Sequence, residues 1–568
     1  MQDKSVVWQE LALTVYHLQH IGEGKMKKAL SVLTAAALMV AAAMPLAACA
    51  QKDETQEAID PTRTQLYIGN YDGGLGDEWL KELKHRYEEI HTDVQVMITS
   101  DKTMFLPDTL INSIATDKNQ LYFVEKQHYH DLVSDKKIAD ITDVVNEKLT
   151  EYGEDVSIAE KIADPSLAEY YGGELTDNKF YALPSYMSHS GIVYDVDLWE
   201  QRGFYIAEGS TDTKLVLNNG ENKQAGPDGV KGTIDDGMPA TYAQFTELIK
   251  QIRRRNVTPF IWTGKITEYH KMSTTAWWAD YEGYDNFKLN YTLDGEYTFA
   301  GDSEPTQITQ KNGYELQRQQ GKKYALQFVK DLVSNSDYYT MSSGGGTNDH
   351  LGAQYEYVRS FPSGEPIAMM LESDWWENEA RINNAFSDME QRYGSKWAYN
   401  TRRFAYMPIP KTAGSAAEET VVSTSSTCCF FINANAGDKM ELAKDFFKFC
   451  HTEEALKVFN TYTGMCRPFK YTLTDDEIAG LTNFSQYIYK QYNGYGDNKP
   501  VKVVHDVPLC SLRAYNKTDF MNWDWGTTVN GTAYDNPFRS FNSSAVTVDS
   551  YFAGLKTSWE NKWKTFKL

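Results

Sequence analysis

The chain carries little positive charge and little sulfur for its length. Its 568 residues hold 56 lysines and arginines against 78 acidic residues, a formal charge of −22. That balance argues against binding nucleic acid or anionic lipid through a basic surface. The six cysteines show no CxxC and no histidine pairing at metal spacing, so no zinc site is expected. GxxxxGKS, GxGxxG, GxSxG and HExxH are missing too, which removes the phosphate-loop, dinucleotide, serine-hydrolase and zinc-protease readings. There is no internal repeat, and no low-complexity tract beyond an early polar segment. What is present is 41% hydrophobic and 13% aromatic residues, enough for the cores of a multi-lobed globular protein.

The first informative segment begins at Met26, where MKKALSVLTAAALMVAAAMPLAACAQKDE gives a basic start, an apolar run and a small-residue end. The run is short for a membrane span and small residues crowd its end, so it reads as an export signal. Leu46, Ala47, Ala48 and Cys49 resemble the lipobox of bacterial lipoproteins, which would make Cys49 the lipid-modified start of a chain anchored to the outer face of the cell membrane. Residues 1–25 are expected to be an upstream extension, 26–48 the signal peptide and 49–63 a tether. Of the later cysteines, Cys428, Cys429, Cys450, Cys466 and Cys510, the odd number leaves at least one free thiol, and an exported chain permits one disulfide. TSSTCCFFINA reads as a buried strand rather than a redox centre.

Beyond the tether, TQLYIGNYD alternates as a strand, DEWLKELKHRYEEIH places apolar residues at helical spacing, and DVQVMI reads as a second strand. This order opens an α/β domain with a parallel sheet. The same reasoning expects strands at QLYFV, GIVYDV and PFIW, and helices at TYAQFTELIKQIRRR and LAKDFFKFC. YDGGLGDEW, between the first strand and helix, carries acidic groups that would repel a phosphate; it is expected to present Tyr71, Asp72 and Trp79 to a neutral polar ligand. SSGGGTND reads as a flexible loop.

Several segments in order resemble the family 1 extracellular solute-binding proteins, the maltose-binding-like receptors of bacterial ABC importers. They are the lipobox, LYIGNYDGG with its helix, DNKFYALPSYMSHSGIVYDVDLWEQRGF, GEPIAMMLESDWWENEA, FAYMPIP, and ELAKDFFKFCHTEEALKVF. The resemblance covers nearly the whole mature chain. It implies a two-lobed periplasmic-binding-protein-like α/β fold with crossing hinge strands. Residues 64–193 and 407–468 would form lobe 1, and 194–406 and 469–568 lobe 2, with 218–238 as an insertion loop. It further implies a monomeric receptor that closes on a carbohydrate, expected to be an oligosaccharide, and hands it to a membrane permease. It does not imply an enzyme; a secreted carbohydrate-active hydrolase and a surface adhesion lipoprotein are the alternatives.

Sugar rings offer C–H faces to aromatic side chains and hydroxyls to planar polar groups. The resemblance places a sugar platform at Trp375 and Trp376, beside Glu372 and Asp374. Trp277 and Trp278 repeat the pattern, and Trp523 and Trp525 alternate around Asp524 as candidates for one face of an extended segment. Tyr71, Asp72, Glu125, His128 and Tyr186 are the first-lobe candidates. Arg402 and Arg403 are the local cations that would admit an acidic sugar. Finally, AGPDGVKGTIDDGMP offers Asp228, Thr233, Asp235 and Asp236, with Asn219 or Glu221 upstream, as oxygen ligands for a structural calcium. It lacks the EF-hand's final glutamate, but it resembles the calcium-loop insertions that some polysaccharide-binding members of this family carry before the helix at PATYAQF. The plain alternative is a turn built from turn residues.

Overall fold

The computed structural model describes residues 57–125, 129–516 and 523–567. The segments expected to be a signal peptide and lipobox, with Cys49, fall outside the described residues, as does His128. The chain divides into two compact units, Met1–Asp60 and Pro61–Leu568; of the first, residues 57–60 are described and carry no helix or strand.

The second unit contains two principal sheets. Their strands are β1 (Thr64–Asn70), β2 (Val94–Ser100), β3 (Leu121–Val124), β4 (Ala182–Pro184), β5 (Ser190–Asp195), β6 (Thr258–Ile261), β7 (Ile367–Ser373) and β8 (Phe404–Met407). Three further strands are β9 (Thr420–Ser423), β10 (Cys429–Ile432) and β11 (Lys502–His505). The first sheet runs β2-β1-β3-β10-β4 and the second β8-β5-β7-β6. In the first, β1 pairs in parallel with β2 and β3, whereas β10 runs antiparallel to β3 and β4. In the second, β7 is parallel to β6 and antiparallel to β5. The strands expected from sequence all form. The expected division at residue 193 falls inside β5, which lies wholly in the second sheet, paired on both sides; the chain therefore passes between sheets ahead of Ser190.

Each sheet is covered by amphipathic helices. In α1 (Glu78–Ile90) the buried residues Trp79, Leu80, Leu83 and Tyr87 form one stripe. In α2 (Tyr242–Arg254) the Thr241 hydroxyl caps the start by accepting from the Gln244 N–H, at 3.2 Å. Next comes α3 (Thr267–Thr292), broken at Gly283, whose φ of 77° interrupts the helix. It packs along α4 (Gln320–Val333).

This packing corrects three tryptophan expectations. Trp277 stacks on Phe328 with ring centres 4.0 Å apart and is walled by Tyr242, Phe245 and Tyr324. Trp278 meets Phe287 and Trp525, with the Lys322 ammonium 4.4 Å from its ring. Trp376 is edge-on to Phe404 at 4.8 Å and packs on Phe484. All three are 1% exposed or less, so they are core side chains. Trp79 and Trp525 are buried likewise. The reason is positional: paired aromatics in a helix sandwiched between a sheet and another helix find hydrophobic neighbours on every side.

Three segments join the sheets side by side. The Ser185 N–H donates to Cys428 O at 2.9 Å, Met187 N–H to Cys466 O at 2.9 Å, and Thr424 N–H to Ser188 O at 2.8 Å. Among the described residues the five cysteines are buried and form no disulfide with one another; Cys429 lies in the buried strand β10. SSGGGTND is pinned rather than loose: Gly264 N–H donates to Asn348 Oδ1 at 2.7 Å, and a Cβ on Gly264 would lie 2.4 Å from Ser343 O. No described helix is long and apolar enough to cross a membrane.

Removing Trp277 leaves a large cavity against Phe328. Trp277→Ala should lower unfolding stability by about 3–5 kcal/mol, whereas Trp375→Ala, at a half-buried site, should cost well under half as much. Urea unfolding midpoints at a common slope measure both.

Candidate functional site

The loop after β1 and the start of α6 (Trp376–Ile382) meet across the gap between the sheets. The Asn378 side-chain N–H group donates to Gly74 O at 2.8 Å and Leu75 O at 3.1 Å, and Arg381 pairs with Glu78 at 2.8 Å. Glycine is required here by proximity: a Cβ on Gly73 would stand 2.8 Å from the Tyr71 ring and 3.0 Å from Glu125 Oε1, and one on Gly74 3.3 Å from Trp375. Segments of both lobes therefore touch in a closed arrangement.

On the first-lobe side, Glu125 at the end of β3 accepts from the Tyr186 hydroxyl at 3.2 Å. Burial, and then the Glu125 charge, push the Tyr71 phenol well above its ordinary range, so it remains a donor at any physiological pH. On the second-lobe side, Trp375 and Tyr269 meet edge to face at 6.1 Å, and Tyr269 stacks on His350 at 5.7 Å. Behind them Gln354, on α5 (His350–Ser363), donates to Glu379 at 2.7 Å and to Glu372 at 3.4 Å. Burial first, and then the neighbouring Glu379, push the Glu372 carboxyl far above the usual carboxylate range.

The sequence-expected residues thus separate. Tyr71, Glu125, Tyr186, Glu372 and Trp375 come together around this gap, with Asp72 exposed at its rim. Trp277, Trp278 and Trp376 do not. Asp374 is buried and already engaged beside the hinge: it accepts from His189 N–H at 2.7 Å and from the Tyr492 hydroxyl at 2.9 Å. Arg402 is buried against Asp195, and Arg403 pairs with Asp197 and Glu200, so neither offers a charge to a ligand. Sequence reasoning did not reach Tyr269, His350, Gln354, Asn378 and Glu379. Glu379 had a signal, since it lies one helical turn after Trp375 within an already recognised segment; Tyr269 and Gln354 had none.

The cavity remaining at the first-lobe face, lined by Tyr71, Phe123, Glu125, Tyr186 and Arg467 among others, measures about 20 Å³. That holds about one water. The Arg467 guanidinium beside it is fixed by Ser185 O at 2.8 Å, Cys450 O at 2.6 Å and His451 at 3.0 Å.

The insertion loop is closed by its own bonds. Asp228 N–H and the Thr233 hydroxyl donate to Asp235, at 3.1 and 2.6 Å; Gly232 N–H donates to Asp236 at 2.9 Å, and Val230 N–H to Asp228 at 2.7 Å. Among the described residues no three acidic, histidine or cysteine side chains converge as metal ligands. This is the geometry of a hydrogen-bonded turn.

A bacterial extracellular solute-binding protein family model matches residues 82–484. No curated protein matches the chain. Among solved structures, a maltose-bound T. maritima MalE3 is 13% identical, covering 88% of this chain and 100% of that one, with a TM-score of 0.52. The apo form of RafE from Streptococcus pneumoniae is 12% identical, covering 89% and 100%, with a TM-score of 0.51. A chitin oligosaccharide binding protein is 12% identical, covering 88% and 99%, with a TM-score of 0.50. At these identities they establish the shared two-lobed α/β fold.

Burial pushes Asp235 up to about 6 from an ordinary 3.8. The folded loop therefore holds its proton more tightly than the unfolded chain, and its contribution to stability is lost as pH rises through 6. Bound calcium would require the ionised carboxylate and reverse that sign. The expected result at pH 7 is a melting temperature that agrees within about 1 °C in excess chelator and in excess calcium; a larger rise with calcium would show a site.

Proposed function

The chain belongs to the bacterial extracellular solute-binding proteins, and from that premise we propose that it captures an oligosaccharide between its lobes and delivers it to an ABC-transporter permease. The family binds substrates rather than transforming them. The observation that carries the carbohydrate reading is the composition of the gap: half-buried aromatic rings, Tyr71, Tyr269 and Trp375, alternate with carboxylates from both lobes, Glu125 and Glu379. Rings match the C–H faces of a pyranose, and carboxylates accept its hydroxyls. The maltose named for MalE3 and the chitin oligosaccharide named for another structure of this fold support the same class of ligand.

Capture would proceed by lobe movement. The 20 Å³ cavity is far smaller than a sugar ring, so a ligand enters when Asn378 leaves the Gly74 and Leu75 carbonyls and the lobes part about the three joining segments. Binding energy then favours reclosure around the ligand. Cys49, if lipidated, would tether the receptor beside its permease; mass spectrometry of the mature chain tests that anchor.

Calorimetry against linear and branched oligosaccharides tests the central reading, which fails if none gives a heat of binding. Trp375→Ala should weaken the best ligand at least roughly tenfold through lost stacking. Asn378→Ala should weaken it by a smaller factor, because the variant loses the bonds to Gly74 O and Leu75 O across the gap and populates the closed state less.

A further inference from the structure

The second-lobe wall of the gap is short of hydrogen-bond donors and of positive charge. Glu372 and Glu379 share one Gln354 amide group. Among the described residues neither is paired with a lysine or arginine; the one basic side chain near them is His350, whose Nε2 is 3.3 Å from Glu379. Gln354 is 1% exposed and its Oε1 has no hydrogen-bond partner. Turning the amide over would only aim that oxygen at two carboxylates. Among the described residues Glu372 accepts in addition only from the Ser373 N–H, at 2.9 Å, so the cluster sets two carboxyl groups and an orphan amide oxygen against few donors. Trp375 and Tyr269 adjoin it, and aromatic faces attract cations.

We propose that this corner of the cleft receives the ammonium group of an amino sugar, so that the preferred ligand is a saccharide with a free, protonated amine. The proposal rests on the saccharide reading given above and narrows it. Two buried carboxyl groups without a countercharge cannot both stay ionised; one keeps a proton, or a cation takes its place. Glu372 is the group that holds the proton, forced to by burial and by Glu379. The groups facing it from the surrounding elements are Tyr269 on α3, His350 and Gln354 on α5, Glu379 on α6, and Tyr406 on β8, whose hydroxyl donates to Glu372 O at 3.3 Å. Asp374 follows on the same strand but is held by His189 and Tyr492. None of these supplies a permanent cation. When the ammonium binds, the Glu372 proton passes to solvent, and an ionised Glu372–Glu379 pair faces the bound charge. An anionic sugar would meet only like charge here.

The test is calorimetry on the mature protein at pH 6 and low salt, using β-1,4-linked glucosamine oligomers, their fully N-acetylated counterparts and neutral glucose oligomers of equal length. The glucosamine oligomers should bind at least roughly tenfold more tightly than either comparison, as expected of a desolvated charge pair. Their binding heat should vary with buffer ionisation enthalpy by about one released proton per ligand. Glu372→Gln keeps the shape of the side chain and should abolish both the proton release and the preference, so that glucosamine oligomers bind no more tightly than neutral oligomers do to the same variant; Glu379→Gln should remove the preference likewise if the first variant folds poorly. Equal or tighter binding of the neutral or acetylated oligomers overturns the proposal and leaves the saccharide reading standing. A preference without proton release, unchanged in Glu372→Gln, also overturns it. Failure of every saccharide to bind overturns both.

Discussion

The arrangement depends on one close approach, that of the Gly73–Leu75 backbone to the start of α6. Asn378 reaches two carbonyls of the opposite lobe at a point where Gly74 places no side chain against Trp375 and Glu379. A methyl on Gly74 would crowd Trp375 and Glu379 across the gap, and one on Gly73 would displace Tyr71 and Glu125 within the first lobe. The same glycines that look like a phosphate loop in the sequence thus serve steric closure between acidic and aromatic walls.

Around that contact, charge is sorted. The arginines that sequence leaves open as ligand groups are paired within the scaffold, Arg402 with Asp195 and Arg403 with Asp197 and Glu200, and Arg381 is taken up by Glu78 and Asn378. Arg467 is buried against backbone oxygens and a histidine, and burial lowers its guanidinium to about 10. Carboxylates and phenols are what the gap presents. Aspartate is held back where it serves the hinge, since Asp374 joins His189 and Tyr492. A receptor built this way discriminates by what it lacks as much as by what it offers.

The fold was legible in the sequence because its strands and helices are strongly periodic and follow a familiar order. The boundary between lobes was not, since β5 is continuous in sequence with the joining segment and only its pairing with β7 and β8 assigns it. Among site residues, Tyr71 was found because loops at strand ends are where ligands meet an α/β sheet, and Glu372 and Trp375 at the end of β7 because of the family resemblance of their segment. The tryptophan pairs misled in a consistent way. WW within a helix puts neighbouring rings about 100° apart, and in α3 both directions face packed neighbours, whereas at Trp375–Trp376 one ring faces the gap and the other the core. Tyr269, His350 and Gln354 reach the site from elements far apart in sequence, and no local pattern marks such convergence. The acidic insertion loop was ambiguous because turn-forming and calcium-binding residues are the same residue types.

The account stands on the cleft being where a saccharide is held, and a crystal structure of the mature protein with a bound oligosaccharide tests that most directly. It predicts a sugar ring against Trp375, with ligand oxygens or nitrogen within hydrogen-bond distance of Glu125 and Glu379 and the two lobes enclosing it. A saccharide bound elsewhere on the surface, with Asn378 still bonded to Gly74 and Leu75 across an unchanged gap, would contradict it.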